Sequence, residues 1–265
     1  MPLPSSPSSE GLPEIPVCIV PAGDYKIGNE HNPVSSPVHT VTLAAFAIGV
    51  SAVTNGEFRG FIKAGGYIDE TLWSEMGWRW LQSKPLEDGK PVTYPAFWKD
   101  TKFNHGVLPV VGIGWYEALA FVTWLKRVTD QPWRLLTEVE WEAAAPTAGD
   151  PLSKKTRRIN CAEMGIGHPW VAAGMGMESW CGASNMRGNV WEWTSSRWGH
   201  NWQSMEYPYP YDPADGREDL DGSAARVMRG GSYFDPVSES HPANRGRFLP
   251  GSRASNIGFR IGYSV

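Results

Sequence analysis

The sequence predicts an α+β fold with few helices, short strands and long irregular loops. Short apolar alternations typical of strands occur near both ends of the chain, whereas three stretches have helical signals. The 265 residues include 14 tryptophans and 29 glycines. This composition indicates loops that are held in place by aromatic side chains rather than a bundle of helices.

The N-terminal region predicts strands. Residues 17–28 and 37–50 alternate well enough to form them, with Gly23-Asp24 as a turn signal. Residues 67–108 contain tryptophans among prolines and charges, and residues 147–182 are rich in glycine. We expect both of these stretches to be mostly irregular.

Capping boxes predict the start of two helices. In residues 54–57 and 137–140, a threonine oxygen and a glutamate carboxylate three positions later satisfy each other's free backbone donors. The first helix should run to about Lys63, and the second should stop at Pro146. Between them, residues 115–127 repeat apolar side chains with the period of an amphipathic helix.

Composition predicts one domain with a tail. Residues 1–16 contain five prolines and four serines and lack the pattern of a signal peptide, so we expect a disordered tail. No linker-like shift follows, so residues 17–265 are predicted to be a single domain. The three cysteines are an odd number without CxxC spacing, which favours a reducing compartment and a cytoplasmic location.

Charge and hydropathy argue against two classes of partner. The net charge of −4 and the isoelectric point near 5.9 provide no basic surface for nucleic acid. The longest apolar stretch, residues 43–53, is too short to span a bilayer, so no membrane partner is expected.

The stretch from Asn185 to Val265 organises the chain. Strand-like alternations near residues 226–233 and 256–263 enclose a segment, residues 234–255, without a helical or strand period. A loop of that length inside a domain is usually functional or disordered. Because strands bracket it, we interpret it as a functional surface held by a scaffold.

Ordered motifs carry a family resemblance. They are Pro21-Ala-Gly-Asp-Tyr-Lys-Ile-Gly28, His39-Thr-Val-Thr-Leu43, Pro109-Val-Val-Gly-Ile-Gly-Trp-Tyr-Glu-Ala118, Trp133-Arg-Leu-Leu-Thr-Glu-Val-Glu-Trp-Glu142, Gly188-Asn-Val-Trp-Glu-Trp193 with Gly182 and Asn185 before it, Arg229-Gly-Gly-Ser232 and Asn256-Ile-Gly-Phe-Arg260. Over about residues 16–265 the chain resembles the formylglycine-generating-enzyme (sulfatase-modifying factor) domain. The resemblance implies a C-type-lectin-like fold.

The resemblance also implies which redox metals to expect. The family's oxidase chemistry uses a cysteine pair just after the Gly-Gly-Ser motif, and soft thiolates suit copper(I). Residues 233–240 of this chain contain no cysteine, so we expect no copper and no formylglycine generation. A second branch of the fold holds iron with a histidine triad. The six histidines here are scattered without such a pattern, so no iron is expected.

Calcium is the metal that the resemblance favours. In the resembling enzymes the stretch matching residues 185–192 wraps an ion. By position the ligands would be the Asn185 amide oxygen, the Gly188 and Val190 carbonyls and the Glu192 carboxylate, all hard oxygen donors. The alternative is that Glu192 caps backbone donors in a tight turn.

The segment itself resembles variable proteins of diversity-generating retroelements, which display a rewritten C-terminal patch on this fold. The framework positions that carry this resemblance are Arg229, Gly230, Gly231, Ala243, Asn244, Arg245, Arg253, Asn256 and Gly258. Eleven other positions hold residues that such rewriting permits, namely 234, 235, 236, 238, 246, 247, 248, 249, 252, 254 and 255. Glu239 departs from the permitted set. The alternative is an ordinary solvent loop.

These inferences combine into one functional hypothesis. The chain is predicted to be a non-enzymatic, monomeric protein that binds an unknown protein or other macromolecule through the segment. The predicted contact residues are Phe234, Asp235, Pro236, Ser238, Glu239, His241, Gly246, Arg247, Phe248, Leu249, Ser252, Ala254 and Ser255. The alternatives are an enzyme of the same family with altered or lost oxidase activity, and a regulatory module of a larger assembly.

Overall fold

A computed structural model describes residues 14–83, 91–146, 159–173 and 179–265. Its helices are α1 (Asn55–Lys63), α2 (Glu75–Gln82), α3 (Trp115–Thr129) and α4 (Glu138–Ala144). Its strands are β1 (Val17–Val20), β2 (Gly23–Ile27), β3 (His39–Leu43), β4 (Phe46–Gly49), β5 (Arg134–Leu135), β6 (Trp191–Gly199), β7 (Ala225–Arg229), β8 (Gly246–Phe248), β9 (Ile257–Phe259) and β10 (Ile261–Ser264). The predicted α+β class is confirmed. Residues 1–13 of the predicted tail, and most of the stretch 147–182, lie outside the described residues.

The strands form three sheets. The first has the order β1-β4-β10-β5, so strands from both ends of the described chain pair with β4. Strands β2 and β3 form an antiparallel pair of their own. The third sheet has the order β8-β7-β6-β9, in which β9 runs parallel to β6. This third sheet carries the C-terminal segment 234–255.

The predicted helix starts are confirmed. At α1, the Thr54 hydroxyl accepts a hydrogen bond from the Glu57 amide and the Glu57 carboxylate accepts one from the Thr54 amide. The equivalent reciprocal pair opens α4. The amphipathic helix α3 extends two residues beyond the predicted end, to Thr129, and stops where Asp130 takes a left-handed conformation.

One N-terminal prediction is wrong in detail. Gly23 and Asp24 are not a turn but the first residues of β2, because the ladder with β3 begins at Gly23. The chain bends before them, at Ala22, which follows Pro21, a residue without an amide hydrogen to donate to a sheet. The described part of the stretch 67–108 is mostly irregular, as predicted, but it also contains α2, whose N-terminus is capped by the Ser74 hydroxyl.

The predicted strand over residues 256–263 is wrong as a single element. It divides at Arg260 into β9, in the third sheet, and β10, in the first. The Arg260 side chain is 1% exposed, and its guanidinium donates to Glu192 in β6 and to the Gly49 carbonyl in β4. The residue at which the chain changes sheets therefore also joins the two sheets.

Aromatic side chains fill the space between α3 and the third sheet. The Phe121 ring lies 5.5 Å from that of Phe259 and 5.3 Å from that of Phe58. The Trp115 indole of α3 donates to the Thr194 carbonyl of β6 at 2.8 Å. These contacts fix the sheet that carries the segment against the main helix. None of the helices in the described ranges is long and apolar enough to cross a membrane.

Candidate functional site

The segment 234–255 is partly regular, contrary to the prediction. It contains a 3₁₀ turn at Val237–Ser240 and the edge strand β8, which pairs with β7. Gly246 allows this pairing because a Cβ there would lie 2.8 Å from the Trp191 ring. The segment is therefore an edge of the third sheet with a turn before it.

A buried charge network holds the segment to the body of the protein. Arg245, which is 3% exposed, donates from Nε and Nη2 to the two carboxylate oxygens of Glu138 at 2.7 and 2.8 Å. Arg229 donates to Glu138 at 3.1 Å and to Glu142 at 2.8 Å. Burial raises the pKa of Glu138, but the guanidinium groups of Arg245 and Arg229 outweigh it and lower that pKa overall.

The predicted contact residues lie outside this network. Phe234, Pro236, Ser238, Glu239, Phe248 and Leu249 are exposed, and Asp235, His241, Gly246, Arg247, Ser252, Ala254 and Ser255 are half-buried. The predicted framework residues Gly230, Gly231, Ala243 and Gly258 are buried, as are the two network arginines. The segment thus separates into side chains that anchor it and side chains that face outward, and the binding role of the second set stays a prediction.

Asp235 is the half-buried carboxylate at the start of this surface. Its Oδ2 accepts a hydrogen bond from the Trp191 indole at 2.8 Å and one from the Ser232 hydroxyl. The Asn256 amide donates to the same hydroxyl at 3.0 Å. No hydrogen bond to Asp235 Oδ1 is found among the described residues. The carboxylate is therefore fixed through one oxygen, and the other has no hydrogen-bond partner in the described ranges.

A recess of about 690 Å³ lies at the far end of the segment. Leu249 and Ser252 line it together with Met76, Arg79, Trp80, Ser83, Tyr116, His200, Ser223, Pro250 and Gly251. The Trp80 and Tyr116 rings form an aromatic wall, with centroids 5.7 Å apart. Gly251 is required beside this wall, because a Cβ there would lie 2.2 Å from Trp80 Nε1. Sequence reasoning missed this site because it treated the tryptophans of residues 67–108 as part of an irregular stretch.

Glu192, the charged member of the predicted calcium ligands, already has protein partners in this arrangement, and the calcium site stays a prediction. Both oxygens of Glu192 bind Arg260, at 2.9 and 3.0 Å, and the Trp141 indole donates to one of them at 2.7 Å. The side-chain nitrogen of Asn185 donates to two carbonyls. Gly188 and Val190 lie on the same turn. The positive charge beside Glu192 in this arrangement is the guanidinium of Arg260.

In the described ranges, no three His, Cys, Asp or Glu side chains are grouped so that they could hold a metal ion. Cys18 and Cys181 approach each other, whereas Cys161 is buried and its cluster packs against Val237 of the segment. The segment and the aromatic recess are therefore the strongest candidate site.

The fold and the site define a protein of the formylglycine-generating-enzyme type, built on a C-type-lectin-like scaffold. Comparison with protein-family models agrees, because the sulfatase-modifying factor enzyme 1-like domain matches residues 6–264. The chain belongs to this family, and the predicted fold is confirmed.

Similar proteins in the family include enzymes. Hercynine oxygenase of Mycobacterium tuberculosis is 33% identical over 251 residues, which cover 86% of this chain and 55% of that protein. The formylglycine-generating enzyme of Thermomonospora curvata is 28% identical, with 91% of each chain covered. The chain spans about half the length of the hercynine oxygenases it matches.

Solved structures show the same fold. PvdO from Pseudomonas aeruginosa has a TM-score of 0.67 at 24% identity, with 94% of each chain covered. Treponema denticola variable protein 1 has a TM-score of 0.64 at 20% identity, with 94% of this chain and 95% of that chain covered. At these identities the likeness concerns the fold alone.

The prediction of a protein without enzymatic activity is wrong. Relatives at about 30% identity are hercynine oxygenases and formylglycine-generating enzymes. The error has a chemical reason: a segment without cysteines argues against one copper-dependent reaction, and the same scaffold carries other reactions. The alternative of an enzyme with altered chemistry is the better supported of the two.

Proposed function

We propose that this protein is an enzyme of the sulfatase-modifying factor family that binds its substrate on the segment 234–255. The observation that carries the proposal is Asp235, a carboxylate that is oriented by Trp191 and Ser232 and keeps one oxygen free of protein partners among the described residues. The named activities of its relatives support an enzymatic role.

The proposed chemistry differs from formylglycine generation. The residues that follow the Gly-Gly-Ser motif are Tyr233 to Ser240, and none of them is a cysteine. A copper(I) centre of the family's kind needs a pair of thiolates there. Asp235 and Ser240 offer oxygen atoms instead, so a sulfatase-type cysteine peptide is not the proposed substrate.

Asp235 is proposed to act as a general base. A carboxylate held in place by two donors can take a proton from a bound substrate without first losing a mobile water shell. Positioned proton transfer of this kind contributes about 10²–10⁴-fold to a rate. The substrate group that loses the proton would lie within hydrogen-bond reach of Oδ1.

The aromatic recess is proposed to bind the other end of the substrate. Trp80 and Tyr116 line the recess with aromatic carbon that suits an apolar or aromatic group, and Leu249 and Ser252 of the segment line it as well. Binding energy from such a remote group can orient the reacting end of a substrate. The proposed substrate therefore has an apolar or aromatic end and a group that can give up a proton.

A second proposal concerns the origin of the segment. Its accessible side chains and buried framework support a surface that is diversified by a retroelement. The test is the DNA near the gene: a reverse transcriptase with a near-copy of the codons for residues 233–260, differing at adenines, is expected. A neighbourhood with neither would contradict this proposal and would leave the enzymatic one untouched.

The enzymatic proposal is tested with a mixture of small metabolites to which hercynine and a sulfatase-type cysteine peptide are added. The protein is incubated with the mixture, and all components are followed by mass spectrometry. We expect one compound to be lost and one product to appear only when the protein is present, while the peptide thiol survives.

The matched variants are Asp235→Asn and Asp130→Asn. Both remove one carboxylate, but Asp130 is exposed, lies outside the segment and ends α3 in a left-handed conformation that asparagine also adopts. The conversion should be lost in the first variant and kept in the second. Identical mixtures with wild type and with Asp235→Asn would contradict the proposal, and loss of the peptide thiol would contradict its chemistry.

A further inference from the structure

Two thiols that are far apart in sequence meet in the structure. The sulfur atoms of Cys18 and Cys181 lie 3.6 Å apart, across a separation of 163 residues. Cys18 belongs to β1, an edge strand of the first sheet, and Cys181 precedes the turn at Gly182. Both are free and half-buried. A disulfide has sulfur atoms about 2.05 Å apart, so closure needs a movement of roughly 1.5 Å.

The surroundings of Cys181 make it the nucleophile of the pair. A hydrogen bond from the Cys18 thiol lowers the pKa of Cys181 to about 6, with help from the Ser179 hydroxyl at 3.1 Å and the charge of Arg260 and against the effect of burial. The same hydrogen bond and burial raise the pKa of Cys18. In the part of the chain that the structure describes, Tyr25 also faces Cys181, whose charge contributes to raising the pKa of that tyrosine after burial. Within the pair, these contacts favour the thiolate at Cys181 and the thiol at Cys18.

Access to Cys181 is from the turn that follows it. Gly182 has a φ of +97°, and a Cβ placed there would meet nothing within 4 Å. The neighbouring Trp180 is 45% exposed. Cys161, in contrast, is buried, and burial raises its pKa. The approach is therefore open at Cys181 and closed at Cys161.

We propose that Cys18 and Cys181 are a modification site that reacts with small-molecule disulfides and closes to an intramolecular disulfide. The Cys181 thiolate attacks one sulfur of RS–SR, the S–S bond breaks, and RS⁻ leaves with the electron pair. Cys18 then gives its proton to solvent and attacks the Cys181 sulfur, which releases the second RS⁻. Starting from the thiolate and the thiol, the protein loses two electrons and one proton, and the two RS⁻ released take protons from solvent to become two RSH.

The disulfide would fasten an edge strand to the turn beside Arg260. That arginine donates to the Ser184 carbonyl as well as to Glu192, so the turn already contacts both sheets. A cross-link over such a long separation restricts the unfolded chain. The oxidised protein should consequently melt at a higher temperature than the reduced one.

The test is titration of the full chain with oxidised glutathione, followed by a count of free thiols and mass spectrometry of peptides. The wild type contains three cysteines, and we expect one free thiol, that of Cys161, to remain. The cross-linked peptide pair should contain Cys18 and Cys181. Dithiothreitol should restore all three thiols.

Single variants separate the two steps. Cys161→Ser should form the same cross-link as the wild type. Cys18→Ser should stop at a glutathione adduct on Cys181, because the resolving thiol is absent. Three free thiols in the treated wild type would overturn the proposal, and so would a wild type that keeps the glutathione adduct without forming the cross-link.

Discussion

Glu192 and Asp235 are two carboxylates that each accept a hydrogen bond from a tryptophan indole. They differ in their burial and in the charge of their other partners. Trp141 donates to Glu192 at 2.7 Å, and Trp191 donates to Asp235 at 2.8 Å. Glu192 is buried and also binds Arg260 through both oxygens. Asp235 is half-buried, and its partners in the described residues are neutral donors.

The same fold therefore holds two carboxylates in environments that suit different roles. A buried carboxylate with an arginine partner joins elements that are distant in sequence, and losing either partner leaves an uncompensated charge. A half-exposed carboxylate without a cation keeps its charge available for a ligand. Substitutions should therefore damage folding at the first kind of site and activity at the second.

The largest effect is expected from Arg260→Met. This change leaves Glu192 buried without a counter-charge and removes the donors to the Gly49 and Ser184 carbonyls. Breaking a buried pair costs about 3–5 kcal/mol. Denaturant unfolding of wild type and variant measures the loss. The double variant Arg260→Met with Glu192→Gln should recover part of it, because the lone charge is gone, and no recovery would contradict the assignment of the pair.

A slightly smaller effect, with a clear pH dependence, is expected from Glu138→Gln. The arginines around Glu138 lower its pKa below 4.5 despite burial. The folded protein therefore binds this proton less readily than the unfolded chain, so the contribution to stability is present above about pH 4.5 and is lost as the pH falls below it. We expect a cost of about 3 kcal/mol at pH 7 that shrinks towards pH 3.

The control for that pH dependence is Glu142→Gln. Burial raises the pKa of Glu142, and Arg229 opposes the rise only in part. The folded state then favours the protonated form, so the contribution of Glu142 declines as the pH rises above 4.5. The two variants should show opposite slopes of the stability difference against pH. Parallel slopes would mean that the arginines do not control Glu138.

Asp235→Asn should reduce the activity strongly and the stability only slightly. An asparagine oxygen can still accept the Trp191 hydrogen bond, so the free energy of unfolding should fall by no more than about 1 kcal/mol. The conversion detected in the metabolite mixture should fall by about 10²–10⁴-fold. A large loss of stability with normal activity of the remaining folded protein would place Asp235 with Glu192 as a structural carboxylate.

Outward-facing side chains of the segment should affect stability least. Phe234 is 75% exposed, and Phe248 and Leu249 are also exposed. Replacing each by serine should change the free energy of unfolding by within about 0.5 kcal/mol. Denaturation curves check this, and a substrate-binding measurement with the same variants should show weaker binding. Unfolding of any one of them would identify its side chain as part of the core.

Local chemistry explains which parts of the fold were predictable. The capping boxes at Thr54 and Thr137 act over three residues, so the sequence shows both partners. The Glu192–Arg260 pair spans 68 residues and the Glu138–Arg245 pair spans 107. No periodicity encodes pairs at such distances. The division of the last strand at Arg260 and the charge network under the segment were therefore beyond sequence reasoning.

The candidate site was predictable in part for a similar reason. The segment 234–255 was identified because its lack of a period contrasts with the strands around it. Its aromatic recess was missed because Trp80 comes from α2, an eight-residue helix among prolines and charges. The error about enzymatic activity arose from the missing cysteines, which concern a single reaction.

The smallest effect is expected from the addition of calcium. This experiment tests whether the partner of Glu192 is Arg260 or a calcium ion. Ligand binding to the folded state alone would add about 2.7 kcal/mol at a hundredfold excess over the dissociation constant. A calcium ion on Glu192 would have to displace Arg260, and both side chains are 1% exposed, so the displaced guanidinium would be left buried without its counter-charge. We therefore expect thermal melts with calcium and with chelator to coincide. A calcium-dependent rise in melting temperature that disappears in Glu192→Gln would contradict this and would show that the turn at residues 185–192 exchanges its arginine for an ion.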